Sequence, residues 1–444
     1  MSLDTEKQAL SIIRKLSNQG FESWLVGGAA RDMILCKPPD DYDIVTSASP
    51  EDIRRIFRNR MVKIVGRLFS VCLVDGIEVA TFRKDRSLTA TFSSSLREDL
   101  AKRDLTFNAL AFNPLTGEHI DLFGGIRDLK DGVIRFTGNA RDRILEDPLR
   151  MVRACRFKAT FDGEFHEKTV EAIREYRALL QTDVAGERLR LEILKVMGLK
   201  RPGIFFKALL GTGLIEYIFP SLSACVDCDG GPFHGETVWD HLLMTGDAIS
   251  PRYPLLRLAG YLHDAGKPAA ASERNGKRSF VGHEGKSVEL IRDELKKLKF
   301  SNAEIDYIAN LVGQHMRDIT TDSSRKAVRK FIKRLLDHQV DIRDWLRLKI
   351  ADRKANLKRD NYALTEIKSI LRNISDEMHP SHEKGVFQTG DLNVSGNDVM
   401  EILGLPQGRK VGQILEALLK KVLDDPSLNT REKLVQMIKK GLNG

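Results

Sequence analysis

Residues 25–45 read LVGGAARDMILCKPPDDYDIV. An apolar run meets Gly27 and Gly28, then Arg31 and Asp32, and twelve residues separate Gly28 from Asp41. Alternation along a strand puts Asp41 and Asp43 on one face. Carboxylates that close repel, and a fold tolerates them mainly where a cation joins them. The glycines let the backbone approach a bulky group, and the helix start that follows presents free N–H groups to an anion such as phosphate, with Arg31 adding charge. Asp41 and Asp43 could then hold two magnesium ions, one activating an attacking hydroxyl and one on a triphosphate. Such a site needs a third carboxylate from a neighbouring strand. Glu78, between Ile77 and Val79, is the candidate. The competing reading is a glycine turn followed by an acidic loop.

At 444 residues the chain exceeds one core, and length suggests roughly three domains. No apolar run approaches the roughly 20 residues needed to span a bilayer. The opening MSLDTEKQALSIIRKL carries two acids and no apolar signal core, so no secretion signal is expected. Five cysteines (Cys36, Cys72, Cys155, Cys225, Cys228) make no disulfide framework and point to the reducing cytoplasm. A net charge of +9 hints at a polyanionic partner, or at no more than a solvated surface.

Ala9, Leu10, Ile12, Ile13 and Leu16 follow a helical stripe that Gly20 closes. FESWLV and DYDIVTSA read as strands, and AARDMILC reads as a helix start between them. Ser49 with Asp52 three residues on marks another helix start. SVCLVDGIEVATF offers two apolar runs about Asp75-Gly76, a hairpin signal that places Glu78 on a strand. Mixed α+β character ends near residue 140, and the remainder reads as almost wholly helical. Soft boundaries near 140, 222 and 378 divide the chain into a mixed-sheet head (1–140), a helical neck (141–222), a helical metal-binding domain (223–378) and a helical tail (379–444).

The stretch GGAARDMILCKPPDDYDI resembles the first signature of the class II tRNA nucleotidyltransferases and bacterial poly(A) polymerases, within the polymerase-beta superfamily. The resemblance continues in order. KRDLTFNALAF is similar to the family's Arg-Arg-Asp-Phe-Thr-x-Asn-Ala signature, with Lys102 replacing the first Arg. DLFGGIRDL resembles Asp-Pro-x-Gly-Gly, with Leu122 in place of Pro; EDPLRMVRACRF matches Glu-Asp-Pro-x-Arg; GERLRLEILKVM resembles the last, helical signature. The resemblance implies an α+β fold and a Mg2+-dependent enzyme that extends the 3′ end of tRNA from CTP or ATP. It implies that Asp41, Asp43 and Glu78 are catalytic, that Gly27, Gly28, Arg31, Arg103 and Asn108 serve the triphosphate and its loop, and that Asp104 contacts the ribose. Asp147 and Arg150 would read the base. Their spacing of three puts them on one helix face, where a carboxylate accepts from the exocyclic amine of C or A and a guanidinium donates to the adjacent ring acceptors. A surface ion pair is the ordinary meaning of such a spacing. The segment KDRSLTATFSSSLREDLA (84–101) is shorter than in members that add the full C-C-A and lacks their Arg-Pro, which implies C-C addition.

HGETVWDHLLMTGD, LAGYLHDAGKP, VGHEGKSVEL, LVGQHMRD and KIADRKANL carry His241, His263, Asp264, His283, His315 and Asp352. Adjacent His263-Asp264 after an apolar helix can reach one divalent ion, with His241 and Asp352 completing it. The pattern resembles the HD phosphohydrolase superfamily. That likeness implies a second metal site, with His283 and His315 as extra ligands, and hydrolysis of 2′,3′-cyclic or 2′-phosphates. Nitrogen and oxygen ligands leave the ion open among Mg2+ and divalent transition metals. Cys225-x-x-Cys228 with His234 lacks a second ligand pair and reads as structural. In the tail, Gly404 and Gly408 between two helices, followed by Arg409 and Lys410, could meet an RNA phosphate, or form a plain turn. The basic SSRKAVRKFIKRLL carries an apolar stripe of Val328, Phe331, Ile332 and Leu335. The expectation is a cytoplasmic tRNA nucleotidyltransferase, monomer or homodimer, that binds no membrane. An enzyme that adds the full C-C-A, a poly(A) polymerase, a phosphohydrolase with an RNA-binding head, and a non-catalytic tRNA-binding protein are the rivals.

Overall fold

A computed structural model describes residues 2–39, 41–65, 71–82, 95–274, 277–379 and 385–441. The chain divides into two compact units, Met1–Phe219 and Pro220–Gly444. No helix among the described residues is long and apolar enough to cross a membrane.

The first unit is built on a seven-stranded sheet: β1 (Ser23–Val26), β2 (Asp43–Thr46), β3 (Val62–Val65), β4 (Val71–Val74), β5 (Ile77–Thr81), β6 (Leu110–Phe112) and β7 (His119–Asp121), in the order β3-β4-β5-β2-β1-β6-β7. Every pairing is antiparallel except β2 with β5. Asp75 and Gly76 both take positive φ (52° and 90°), as the tight β4–β5 hairpin requires. Alternation gives the sheet two buried faces. Tyr42, Ile44, Cys72 and Val79 pack with Ala9, Ile12, Ile13 and Leu16 of helix Ser2–Ser17, and with Ile53 and Phe57. Trp24, Val26, Val45 and Ala80 pack on the other face against Leu96 and Leu100. Helix Pro50–Ile56 starts with the expected reciprocal cap between Ser49 and Asp52.

Beyond the sheet, helices Ala140–Glu146, Leu149–Phe161, Gly186–Met197 and Gly203–Thr212 complete the first unit. The second unit is helical, with Val238–Ala248, Pro254–Leu262, His283–Lys297, Asn302–Gln314, Arg325–Asp337, Ile342–Ala355 and Leu364–Met378 followed by Gly396–Leu403, Arg409–Asp424 and Arg431–Lys440. Three short strands interrupt the expected run of helices after residue 140: Glu164–Phe165, which pairs with Val133–Ile134, and Ser272–Arg274 with Lys277–Ser279. Strands of two or three residues show no readable period.

Candidate functional site

A cavity of about 440 Å3 opens at the β1, β2 and β5 end of the head. Asp43 is the first residue of β2, paired with Val26 of β1, and the parallel register of Ile44 with Val79 sets Glu78 beside it. Both acids line the cavity, with Arg103, Asp104, Asp147 and Arg150. Asp41 falls before the strand; it is exposed and its Oδ1 accepts from the Tyr42 N–H at 3.1 Å. It is not among the cavity-lining residues, although Tyr42 and Ile44, on either side of Asp43, pack into one core cluster, as alternation with Asp41 and Asp43 on the other face requires. Gly27 has φ 63°, and a Cβ there would lie 3.2 Å from Arg103 Nη1 and 3.7 Å from Asp43 Oδ2. A bare backbone therefore lets the cation and the carboxylate meet the chain at this turn.

Arg31 turns inward, donating to Asp32 Oδ1 at 2.9 Å and to Asn108 Oδ1 at 3.1 Å, with its guanidinium over the Phe161 ring. Asn108 donates in turn to Asp104 Oδ1 at 3.1 Å. Arg31 and Asn108 thus support the cavity wall from behind. Arg103 pairs with Asp99 at 3.0 Å. Asp104 is buried and receives Arg153 on Oδ2 through Nε at 2.7 Å and Nη2 at 2.6 Å. Burial alone would raise its pKa; Arg153, together with the Asn108 and Leu105 hydrogen bonds, brings it down to about 2.

Asp147 and Arg150 both line the cavity, but they do not share a helix face. Helix Ala140–Glu146 ends before Asp147, which is extended (φ −160°, ψ 97°), and Leu149–Phe161 begins after Pro148. A residue before proline is pushed out of the helical region, which explains the break. Arg188, from helix Gly186–Met197, grips Asp147 with two hydrogen bonds of 3.0 and 2.8 Å. Arg150 is almost wholly buried and donates to Glu146 Oε2 at 2.8 Å and to the carbonyls of Arg143 and Lys102. Arg153 and Arg188 lie inside recognised motifs but carry no distinguishing spacing, so sequence reasoning did not single them out. Glu192 gathers Arg153 and Arg156 on the adjoining helix face.

The second unit brings together every expected ligand of the helical metal site. His241 lies on helix Val238–Ala248, Asp352 on Ile342–Ala355, and His283 opens its helix; His263-Asp264 and His315 directly follow theirs. Asp264 sits at the centre. Its Oδ2 is 3.4 Å from His263 Nε2 and 3.8 Å from His241 Nε2, and its Oδ1 is 3.0 Å from His283 Nε2 and 3.3 Å from His315 Nε2. Asp352 Oδ1 is 3.0 Å from His241 Nε2. Donors bound at ~2.0–2.2 Å to one ion stand roughly 3–3.5 Å apart, so these separations suit shared coordination. Nδ1 of His263, His283 and His315 each faces a backbone carbonyl (Gly260, Phe280 and Val312), which fixes the tautomer that leaves Nε2 as a lone pair pointing inward. His263 Nε2, Asp264 Oδ1 and His241 Nδ1 are buried without a well-aligned hydrogen-bond partner, His241 Nδ1 lying 3.0 Å from Glu236 Oε1. Burial would raise the Asp264 pKa; His263 and Lys267 hold it well below the carboxylate range. His241 is pushed up to about 9: burial opposes its charge, and Asp352 and Glu236 outweigh that effect. A cavity of about 560 Å3 opens onto this cluster.

His234 belongs here and not to a cysteine site. Its Nδ1 contacts Glu236 at 2.7 Å, while the buried Cys225 donates to the Ser221 carbonyl. In the tail, Gly404 (φ 64°) closes helix Gly396–Leu403, Gly408 precedes Arg409–Asp424, and Arg409 and Lys410 are exposed. The stripe Val328, Phe331, Ile332 and Leu335 is buried, and Arg325 and Arg329 pair with Glu377, so part of that basic helix is neutralised internally. Most of the shortened segment, residues 84–94, lies outside the described residues.

The poly A polymerase head domain family matches residues 23–135, the probable RNA and SrmB-binding site of polymerase A matches 164–225, and the putative tRNA nucleotidyltransferase domain 2 matches 283–438. Among similar proteins are poly(A) polymerase I of Haemophilus influenzae, 38% identical over 241 residues (50% of this chain, 53% of that protein), and the CCA-adding enzyme of Enterococcus faecalis, 44% identical over 207 residues (44% and 50%). The chain belongs to the family of CCA-adding enzymes and bacterial poly(A) polymerases. It spans about half the length of the first of these relatives. The crystal structure of the Bacillus stearothermophilus CCA-adding enzyme in complex with CTP resembles it at 26% identity and a TM-score of 0.71, over 98% of this chain and 96% of that one. The Thermotoga maritima CCA-adding enzyme complexed with tRNA, at 19% identity and a TM-score of 0.58, shares the fold.

Proposed function

We propose that the protein transfers nucleotides from CTP or ATP to the 3′-hydroxyl of tRNA, releasing pyrophosphate. The observation that carries this reading is the convergence of Asp43, Glu78, Arg103, Asp104, Asp147 and Arg150 on one cavity in a chain of this family. The oxygen donors of Asp43 and Glu78, set side by side by β2 and β5, suit magnesium. Asp41, Asp43 and Glu78 would hold it, and it supplies charge neutralisation on the triphosphate and activation of the hydroxyl. Arg103 and the Gly27 turn meet the phosphates, and Asp104, held charged by Arg153, accepts from the ribose. Asp147 accepts from the exocyclic amine of C or A while Arg150 donates to the neighbouring ring acceptors; neither G nor U offers that edge.

The finer reading is C-C addition, supported by the short 84–101 segment without Arg-Pro. The test is extension with magnesium of tRNA lacking C-C-A, tRNA ending in C-C, and an unrelated RNA, given CTP, ATP or both. Two C residues and a stop with ATP present support C-C addition. Completion to C-C-A overturns the finer reading alone, and long A tails on every RNA make the protein a poly(A) polymerase. No incorporation overturns both readings.

The second unit favours an additional site, a metal-dependent phosphohydrolase centre. The inward Nε2 atoms and the buried, unpartnered His263 Nε2 and Asp264 Oδ1 support it. His241, His263, Asp264, His283, His315 and Asp352 would hold the metal, which supplies an activated water for attack on a phosphate ester. Hydrolysis of a 2′,3′-cyclic nucleotide that persists in Asp43→Asn and vanishes in Asp264→Asn is the expected result; no metal uptake and no hydrolysis would reject this site.

A further inference from the structure

Beside the histidine–aspartate cluster runs a chain of polar groups that are not ligands in the arrangement described above. Lys267 Nζ stands 2.6 Å from Asp264 Oδ2 and 3.3 Å from His234 Nε2. His234 Nδ1 stands 2.7 Å from Glu236 Oε1, and the same oxygen stands 3.0 Å from His241 Nδ1, on the ring edge opposite the Nε2 that meets Asp352. Glu236 Oε2 accepts the backbone N–H groups of Gly235 at 2.9 Å and Leu357 at 3.0 Å. The side chains of Glu236 and Lys267 are only 2% and 7% exposed. The path Asp264–Lys267–His234–Glu236–His241 therefore joins two of the expected ligands through three further groups, of which His234 and Lys267 also line the cavity.

We propose that His234 and Glu236 are positioning residues of the metal centre: Glu236 holds the proton of His241 on Nδ1 so that Nε2 is the ligand, and His234 ties that carboxylate to Lys267 and, through it, to Asp264. This rests on the metal-centre reading. A ligating imidazole owes its tautomer and ring orientation to the acceptor on its other nitrogen. Glu236 has the acceptors the role requires, one oxygen toward two imidazoles and the other toward two backbone donors. An isosteric amide cannot replace it. With its NH2 toward Gly235 and Leu357 it confronts two N–H donors, and turned round it confronts the two histidines.

The experiment uses the full chain stripped of metal and titrated with Co2+, whose visible absorption reports the ligand set and whose titration gives the affinity. Glu236→Gln should bind Co2+ about 10–100-fold more weakly than wild type, with the band retained. Glu236→Asp, which keeps both acceptors, should recover part of the loss. His234→Gln should weaken binding less and leave the band unchanged. Circular dichroism of each metal-free variant checks that the helices are intact; if Glu236→Gln is not folded, Glu236→Asp and His234→Gln carry the test. Wild-type affinity in Glu236→Gln overturns the positioning role, and a lost band in His234→Gln overturns it by making His234 a ligand. A wild-type chain that takes up no Co2+ overturns the metal centre itself.

Discussion

Replacing Arg153 by Met removes the charge beside Asp104 and keeps most of the apolar stem. Asp104 is 7% exposed, with Arg153 across Oδ2 and Leu105 N–H and Asn108 on Oδ1. A fall from the ordinary 3.8 to about 2 is worth about 2 kcal/mol. Because the folded-state value is depressed, that stability is fully present above pH 3.8 and is lost as pH falls through about 2; linkage puts about 1 kcal/mol of the loss already at pH 3. Without Arg153 the carboxylate is buried and uncompensated, so the variant should lose about 3–5 kcal/mol at pH 7. Acid then neutralises Asp104 in the variant, and the gap to wild type should narrow by at least about 1 kcal/mol between pH 7 and pH 4. Urea denaturation followed by circular dichroism at the two pH values measures this gap. Part of the cost at pH 7 comes from Glu192, 3.7 Å from Arg153, and the Arg153→Met/Asp104→Asn double variant isolates the Asp104 share. A gap below about 1 kcal/mol at pH 7, or one that does not change with pH, would refute the assignment of Arg153 as the charge that keeps Asp104 ionised.

The two glycines of DLFGG should fail differently. Gly125→Ala drives a Cβ to 2.2 Å from the Thr106 carbonyl oxygen and should destabilise by about 3 kcal/mol or more; Gly124→Ala, with φ 72° and open space, should cost only about 1 kcal/mol, both read as shifts in denaturation midpoint. Arg188→Ala should lower kcat/KM for CTP about tenfold, equivalent to about 1.4 kcal/mol, and reduce the preference for CTP over UTP; unchanged discrimination in steady-state assays would show that Arg188 does not orient Asp147.

Local chemistry made much of this molecule readable. The Asp75-Gly76 hairpin, the Ser49–Asp52 cap and the buried stripe of the first helix follow from adjacent residues, and the structure shows each of them. The meeting of these histidines and aspartates was legible only where His263 and Asp264 adjoin in the chain; His241, His283, His315 and Asp352 come to them from other helices. What stayed hidden depends on distance along the chain. Arg188 reaches Asp147 across 41 residues, and Arg153 reaches Asp104 across 49. Glu236 draws its meaning from His241 on one side and the Leu357 N–H, far along the chain, on the other. Periodicity also misplaced Asp147, because a count of three ignores what Pro148 does to the residue before it.

Nucleotidyl transfer by this protein should depend on the Asp43 carboxylate. Wild type and Asp43→Asn would be compared in a single-turnover reaction with magnesium, α-labelled CTP and tRNA lacking its 3′ end. Label should enter the tRNA with wild type and fall at least about 100-fold with the variant, a barrier change of about 2.7 kcal/mol, while both retain the same circular dichroism. Equal incorporation by the two proteins would contradict the account.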